Sequence, residues 1–172
     1  AAVAWMGIVL AGIRGLRQHD RAARRRGIIL LGVGLAFIGV AMDQPALAGL
    51  ALLAGIYHML NHAMFKGLLF LGAGSVLYST GTRNMEKMGG LIHAMPVTAM
   101  CFLIGSLAIS AIPPLNGFVS EWFTYQAMFS AAFMGGTMIK AFAAFAAVAL
   151  AVTGALAVTC FVKAYGVTFL GR

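Results

Sequence analysis

Residues 47–71 read LAGLALLAGIYHMLNHAMFKGLLFL. An apolar run enters this segment and another leaves it, yet two histidines and a lysine sit between them. The segment lacks the alternation of a lipid-facing strand and predicts a bilayer-spanning helix. The rest of the chain agrees. Of its 172 residues 62% are hydrophobic and 9% are charged, and the mean hydropathy is +0.95. A water-soluble domain carries about 25% charged residues. An integral membrane protein follows. Its runs of Ala, Gly, Leu, Met and Phe are helices, because a lipid-embedded backbone must satisfy its own hydrogen bonds. The expected fold class is all-α, a polytopic transmembrane bundle.

Working outward, the apolar runs predict helices over residues 3–16, 27–42, 46–78, 95–112, 118–133 and 139–169. Between them lie an Arg-rich turn, DQP at 43–45, the polar loop STGTRNMEKMGG at 79–90, PPLNG at 113–117 and MGGTM at 134–138. Two prolines and a glycine at Pro113, Pro114 and Gly117 interrupt any helix through them. The chain opens inside a hydrophobic run at Ala1, with no signal-peptide pattern, which predicts a piece of a longer polypeptide. The whole is expected to be one partial transmembrane domain over residues 1–172. No internal repeat is visible.

The net charge of +8 does not indicate nucleic-acid binding, because half of the twelve basic residues cluster at Arg14, Arg17, Arg21, Arg24, Arg25 and Arg26 with no interleaved aromatics. A basic cluster between two membrane helices marks a cytoplasmic loop. Arg83 and Lys87 put the 79–90 loop on the same side, and Lys163 and Arg172 do the same for the C-terminal end. That parity holds only if 95–112 and 118–133 are two halves of one crossing. About five crossings with one discontinuous helix are therefore expected. Broken membrane helices are typical of ion and substrate sites. Cys101 and Cys160 lie in apolar runs and read as small hydrophobes.

His58, His62 and Lys66 are spaced i, i+4, i+8, which places them on one helical stripe spanning roughly 12 Å. Asn61 lies one position off it. A charged lysine at mid-bilayer costs about 2.5–3.5 kcal/mol on the insertion scale, so Lys66 should face protein or water. Burial disfavours the charged form of any amine, and a lysine able to release its proton is a proton carrier. Histidine titrates near neutrality without help. The competing reading is structural: a membrane histidine as a satisfied hydrogen-bond partner, a lysine that snorkels. His58 and His62 also have metal-ligand spacing, but no acid or cysteine nearby completes a site, and His19 and His93 lie in or beside loops. No metal is expected.

Glu121, in GFVSEW, is the one acid inside a predicted membrane segment. It falls near the start of the 118–133 helix, where the helix dipole favours a carboxylate. It reads as a relay member or as a counter-ion for Lys66 or Lys140. Lys140 and Lys163 lie near helix ends and read as interfacial anchors.

YHMLNHAMFKGLLFLGAGSV, then MGGL, then AISAIPPLNGFVSEWFTYQ resemble, in order, the proton-antiporter-type membrane subunits. That family is shared by respiratory complex I, multisubunit cation/proton antiporters and membrane-bound hydrogenases. The resemblance covers residues 44–130, and SEW and TYQ look closest to the hydrogenase-4 and formate hydrogenlyase branch. It implies two inverted repeats of about fourteen helices in all, of which this chain holds mostly the second. It also implies a proton relay through His58, His62, Lys66 and Glu121. The pattern departs after QHD at 18–20, where the family's LKRLLAYSS is replaced by RAARRRGIILLG. The relay lysine is absent there, and arginine cannot take its part because it does not deprotonate.

The expected function is proton translocation as a non-catalytic membrane subunit of a hydrogenase or NADH:quinone oxidoreductase-type complex in a bacterial or archaeal plasma membrane. No catalytic residue and no cofactor are expected; nothing reads as a site for flavin, an iron–sulfur cluster or nickel. The implied partners are the bilayer, other membrane and peripheral subunits, and protons, with Na⁺ as the alternative ion. Membership of a cation/proton antiporter complex and a non-conducting truncated scaffold are the alternatives.

Overall fold

The computed structural model describes residues 33–171. The predicted helix at 3–16, the arginine cluster, His19, the departure after Asp20 and the first part of the 27–42 helix lie outside the described residues. Every regular element among the described residues is helical: α1 (residues 33–41), α2 (Pro45–Thr80), α3 (Leu91–Ala94), α4 (Pro96–Ile109), α5 (Asn116–Met134) and α6 (Thr137–Tyr165). A 3₁₀ turn at Met85–Lys87 precedes α3, and a π-helical turn at Gly166–Leu170 extends α6. Among the described residues two helices are long and apolar enough to cross a membrane, Pro45–Thr80 and Thr137–Leu170. At 36 residues α2 is about 54 Å long, well beyond a 30 Å hydrocarbon core. Pro45 starts α2 rather than ending α1, because an N-terminal proline gives up only an amide with no intrahelical acceptor.

The predicted breaks fall close to their places, with shifted edges. The helix expected at 95–112 ends three residues early, at Ile109. Its last turn closes by Ile112 N–H donating to the Leu107 carbonyl and Ala111 N–H to the Ala108 carbonyl, both at 3.2 Å. This is a Schellman closure, and it places Ala111 in the left-handed region with φ 53°. The α1 end closes the same way: Gln44 N–H donates to Gly39 O at 2.8 Å, Asp43 N–H to Val40 O at 3.1 Å, and Asp43 has φ 55°. Aspartate tolerates that conformation better than alanine. The helix expected at 118–133 starts two residues early, at Asn116. Pro113 and Pro114 lie in the break, joined by a cis peptide bond, and Gly117 lies in the first turn of α5.

The chain divides into two compact units. The first holds residues 33–60 with Ser120–Ala149. Its core is built largely from alanine: Ala51, Ala54, Ala127, Ala131, Ala143 and Ala146 are buried with Leu35, Leu47 and Met128. Small side chains let membrane helices approach closely. Gly39 shows this, since a Cβ there would meet the Ala48 backbone nitrogen at 2.6 Å.

The second unit holds Asn61–Val119 with residues 150–171. Val76, Ala99 and Phe169 form its buried centre, flanked by Met88, Leu91, Ile92, Phe102 and Tyr165. Phe169 sits 5.4 Å from the Phe102 ring and 5.1 Å from the Tyr165 ring, measured between centroids. Gly117 is dictated by packing: a Cβ there would overlap the Ala108 carbonyl oxygen, so only glycine lets α5 start this close to the end of α4.

Candidate functional site

The buried positions of α2 fall on one face. Leu47, Ala51, Ala54, His58, Asn61, Phe65, Leu69 and Val76 are buried, whereas Leu52, Leu53, Ile56, Met59, Leu60, Met64, Phe70 and Leu71 are exposed. His58 sits in the middle of the buried face, at 7% exposure. A four-residue step advances 400°, so His62 and Lys66 lie roughly 40° and 80° around from His58. They step onto the flank of the buried face, and both are half-buried. The polar stripe therefore starts on the protein-facing side at His58 and drifts to its edge at Lys66, and the large side chains opposite it are apolar and exposed. Lys66 is 14 residues from the end of α2 at Thr80.

In the first unit His58 Nδ1 lies 3.0 Å from Ser120 Oγ. Both residues are buried, Ser120 completely. Thr124 Oγ donates to the Ser120 carbonyl at 3.1 Å, one turn along α5. The rings of Tyr57 and Phe123, in the same unit, lie 6.2 Å apart. Glu121 follows Ser120 directly and is half-buried. It is the sixth residue of α5, because the helix begins at Asn116, and so it lies past the first turn where the dipole acts. The helix-terminus stabilisation expected for its carboxylate is thereby reduced. Lys140, in the first turn of α6, and Lys163, in its last, are both exposed, as anchors at helix ends are.

In the second unit Asn61 meets the broken segment. Asn116 Nδ2 donates to Asn61 Oδ1 at 3.0 Å, and Asn61 Nδ2 donates to the Asn116 carbonyl at 3.3 Å. The first residue of α5 is thus held by a reciprocal amide pair and its own backbone. His62 packs edge-on against Phe65 of the same helix, ring centroids 5.3 Å apart. Cys101 and Cys160 are free thiols.

Reading the sequence for charge missed Ser120, Asn116 and the role of Asn61. None of them is ionisable, so none stands out as a cost in lipid as lysine does. The available signal was that Asn61 is an amide in an otherwise apolar run, and that Asn116 sits beside the prolines.

An all-helical membrane chain, a long helix carrying two histidines and a lysine from its buried face to its flank, and two shorter helices separated by paired prolines describe a class of polytopic membrane subunit. The chain belongs to the family described as NADH:quinone oxidoreductase/Mrp antiporter, TM, which matches residues 1–147. It is 52% identical over 184 aligned positions to formate hydrogenlyase subunit 3 of Escherichia coli, covering 97% of this chain and 30% of that protein. It is 55% identical to hydrogenase-4 component B of the same organism, covering 84% of this chain and 22% of the relative. It is 42% identical to a Na(+)/H(+) antiporter subunit of Alkalihalophilus pseudofirmus, covering 66% of this chain and 14% of that one. The chain thus spans less than a third of the length of these curated relatives. The first alignment has more positions than this chain has residues, so that relative carries residues absent here.

Proposed function

We propose that the chain is the proton-translocating part of a large membrane subunit in a redox-driven complex of hydrogenase or complex I type, working in the bacterial inner membrane. Protons pass among Lys66, His62, His58 and Glu121 through buried water. The helices α4 and α5 act as the two halves of one crossing, among about five crossings in all. At 14 residues α4 is about 21 Å long, too short to span alone. The other subunits of the complex are its partners and supply the redox driving force.

One observation supports this reading: the ionisable stripe of α2 starts at buried His58 and runs along the half-buried flank at His62 and Lys66, while the large apolar side chains on the opposite side of the helix are exposed. Ionisable groups in a membrane segment are costly and mark pathways. The assembled complex with its full-length subunit, reconstituted in liposomes, tests it. Hydrogen- or formate-driven acidification should fall at least about tenfold in Lys66→Ala while the redox turnover persists. Acidification left at its full rate by this change rules the relay out.

The likeness to a Na(+)/H(+) antiporter component favours a second reading, cation/proton exchange. A pH change driven by a sodium gradient without redox substrate selects that reading.

A further inference from the structure

Ser120 carries no charge and lies outside the stripe, yet it links α5 to α2 in the first unit through the His58 ring. We propose that Ser120 is a positioning residue that holds the His58 ring in one orientation through both halves of a protonation cycle. This rests on the relay reading above, in which His58 gains and loses a proton.

The chemistry of the hydroxyl is the reason. Serine both donates and accepts. When His58 Nδ1 is unprotonated, the Ser120 hydroxyl donates to it. When Nδ1 bears a proton, in the other neutral tautomer or in the charged ring, the hydroxyl turns and accepts. A carboxylate in the same place only accepts, so it favours the charged ring and slows its discharge. An amide would need to flip, which a fully buried site hinders. The 3.0 Å separation serves either direction of donation.

The surroundings keep the oxygen in place. Ser120 is fully buried, and Thr124, 1% exposed, is tied by its own hydroxyl to the Ser120 carbonyl. The burial of Ser120 leaves its side chain little room to move.

The test uses the assembled complex with the full-length subunit in liposomes. Three variants are compared: His58→Gln, Ser120→Ala and Ser120→Thr. The amount of assembled complex is measured for each. Solid-state ¹⁵N NMR of ring-labelled histidine, with His58 assigned by difference from His58→Gln, reports ring reorientation through the averaging of its ¹⁵N chemical-shift anisotropy. His58→Gln should abolish driven acidification. Ser120→Ala should slow it on the order of tenfold, as loss of a ring-orienting partner does elsewhere, and let the His58 ring reorient. Ser120→Thr, which keeps the hydroxyl, should restore the fixed ring and most of the rate. A His58 ring as immobile in Ser120→Ala as with serine overturns the proposal, even where the rate falls. Unchanged acidification in Ser120→Ala alongside a dead His58→Gln overturns it too, and leaves the relay standing. Full acidification in His58→Gln removes the relay itself and this inference with it.

Discussion

The two long helices α2 and α6 pass the same test of length and apolarity, yet they are built for different surroundings. In its most apolar 18-residue window α2 is 33% buried, and α6 is 11% buried. The interior of α2 carries His58, Asn61, His62 and Lys66, whereas α6 keeps its two lysines for its ends. Polar groups follow the protein-facing side. Lipid offers no hydrogen-bond partner, so a side chain that needs one survives only where protein or water supplies it. α6 has little such surface, and between its two lysines it carries only apolar groups, small residues and single hydroxyls such as Thr159, which donates back to the Ala155 carbonyl at 3.0 Å.

The largest test of this contrast is functional. In the reconstituted complex, Lys66→Ala should reduce driven acidification at least about tenfold, while Lys140→Ala and Lys163→Ala, at exposed positions of α6, should leave it within about twofold. Equal losses from all three, read with a pH-sensitive dye, would break the comparison.

The next test is structural and sets a glycine at a close contact in α5 against one in open space on α6. Gly117→Ala drives a methyl into the Ala108 carbonyl and should destabilise the protein by about 1–3 kcal/mol. Gly154→Ala, in open space on α6, should stabilise by about 0.5–1 kcal/mol through helix propensity. Thermal melting of the purified full-length protein in detergent should shift in opposite directions. A similar shift for both would mean that the close approach at Gly117 does not matter.

Smaller effects sharpen the picture at the break. Asn61→Leu strands the Asn116 amide and should cost about 0.6–1.7 kcal/mol, the range for polar pairs between membrane helices. The additional loss on also changing Asn116→Leu should be small, and a double-mutant cycle reads that coupling. Ala111→Gly should stabilise by about 1 kcal/mol, because glycine takes the left-handed conformation without the penalty alanine meets. A lower melting temperature for Ala111→Gly would show that the strain at Ala111 is absent.

Much of the helical layout was legible in the residues. Helix 46–78 was expected and Pro45–Thr80 is found; a break was expected at 113–117 and the helices stop at Ile109 and restart at Asn116. The early stop comes from a hydrogen-bonded closure at Ala111, a residue with no reputation for ending helices. The segment expected as 95–112 is also preceded by a separate helical turn, Leu91–Ala94, because Pro96 starts its own helix. The 139–169 helix runs from Thr137 to Tyr165 and then widens into a π-turn at Gly166–Leu170. Apolar periodicity is blind to that change, since it alters hydrogen-bond spacing without altering hydropathy.

Composition alone made this a membrane protein, because too few charged side chains exist to cover a surface in water. Sequence spacing alone aligned His58, His62 and Lys66, because 3.6 residues per turn is a property of the backbone and not of the fold. Which side of α2 is buried, and that a serine and an asparagine from α5 reach it, depended on tertiary structure. Hydrogen bonds between residues about sixty positions apart form only when packing brings two helices together, and nothing local in the chain encodes which hydroxyl will meet which ring.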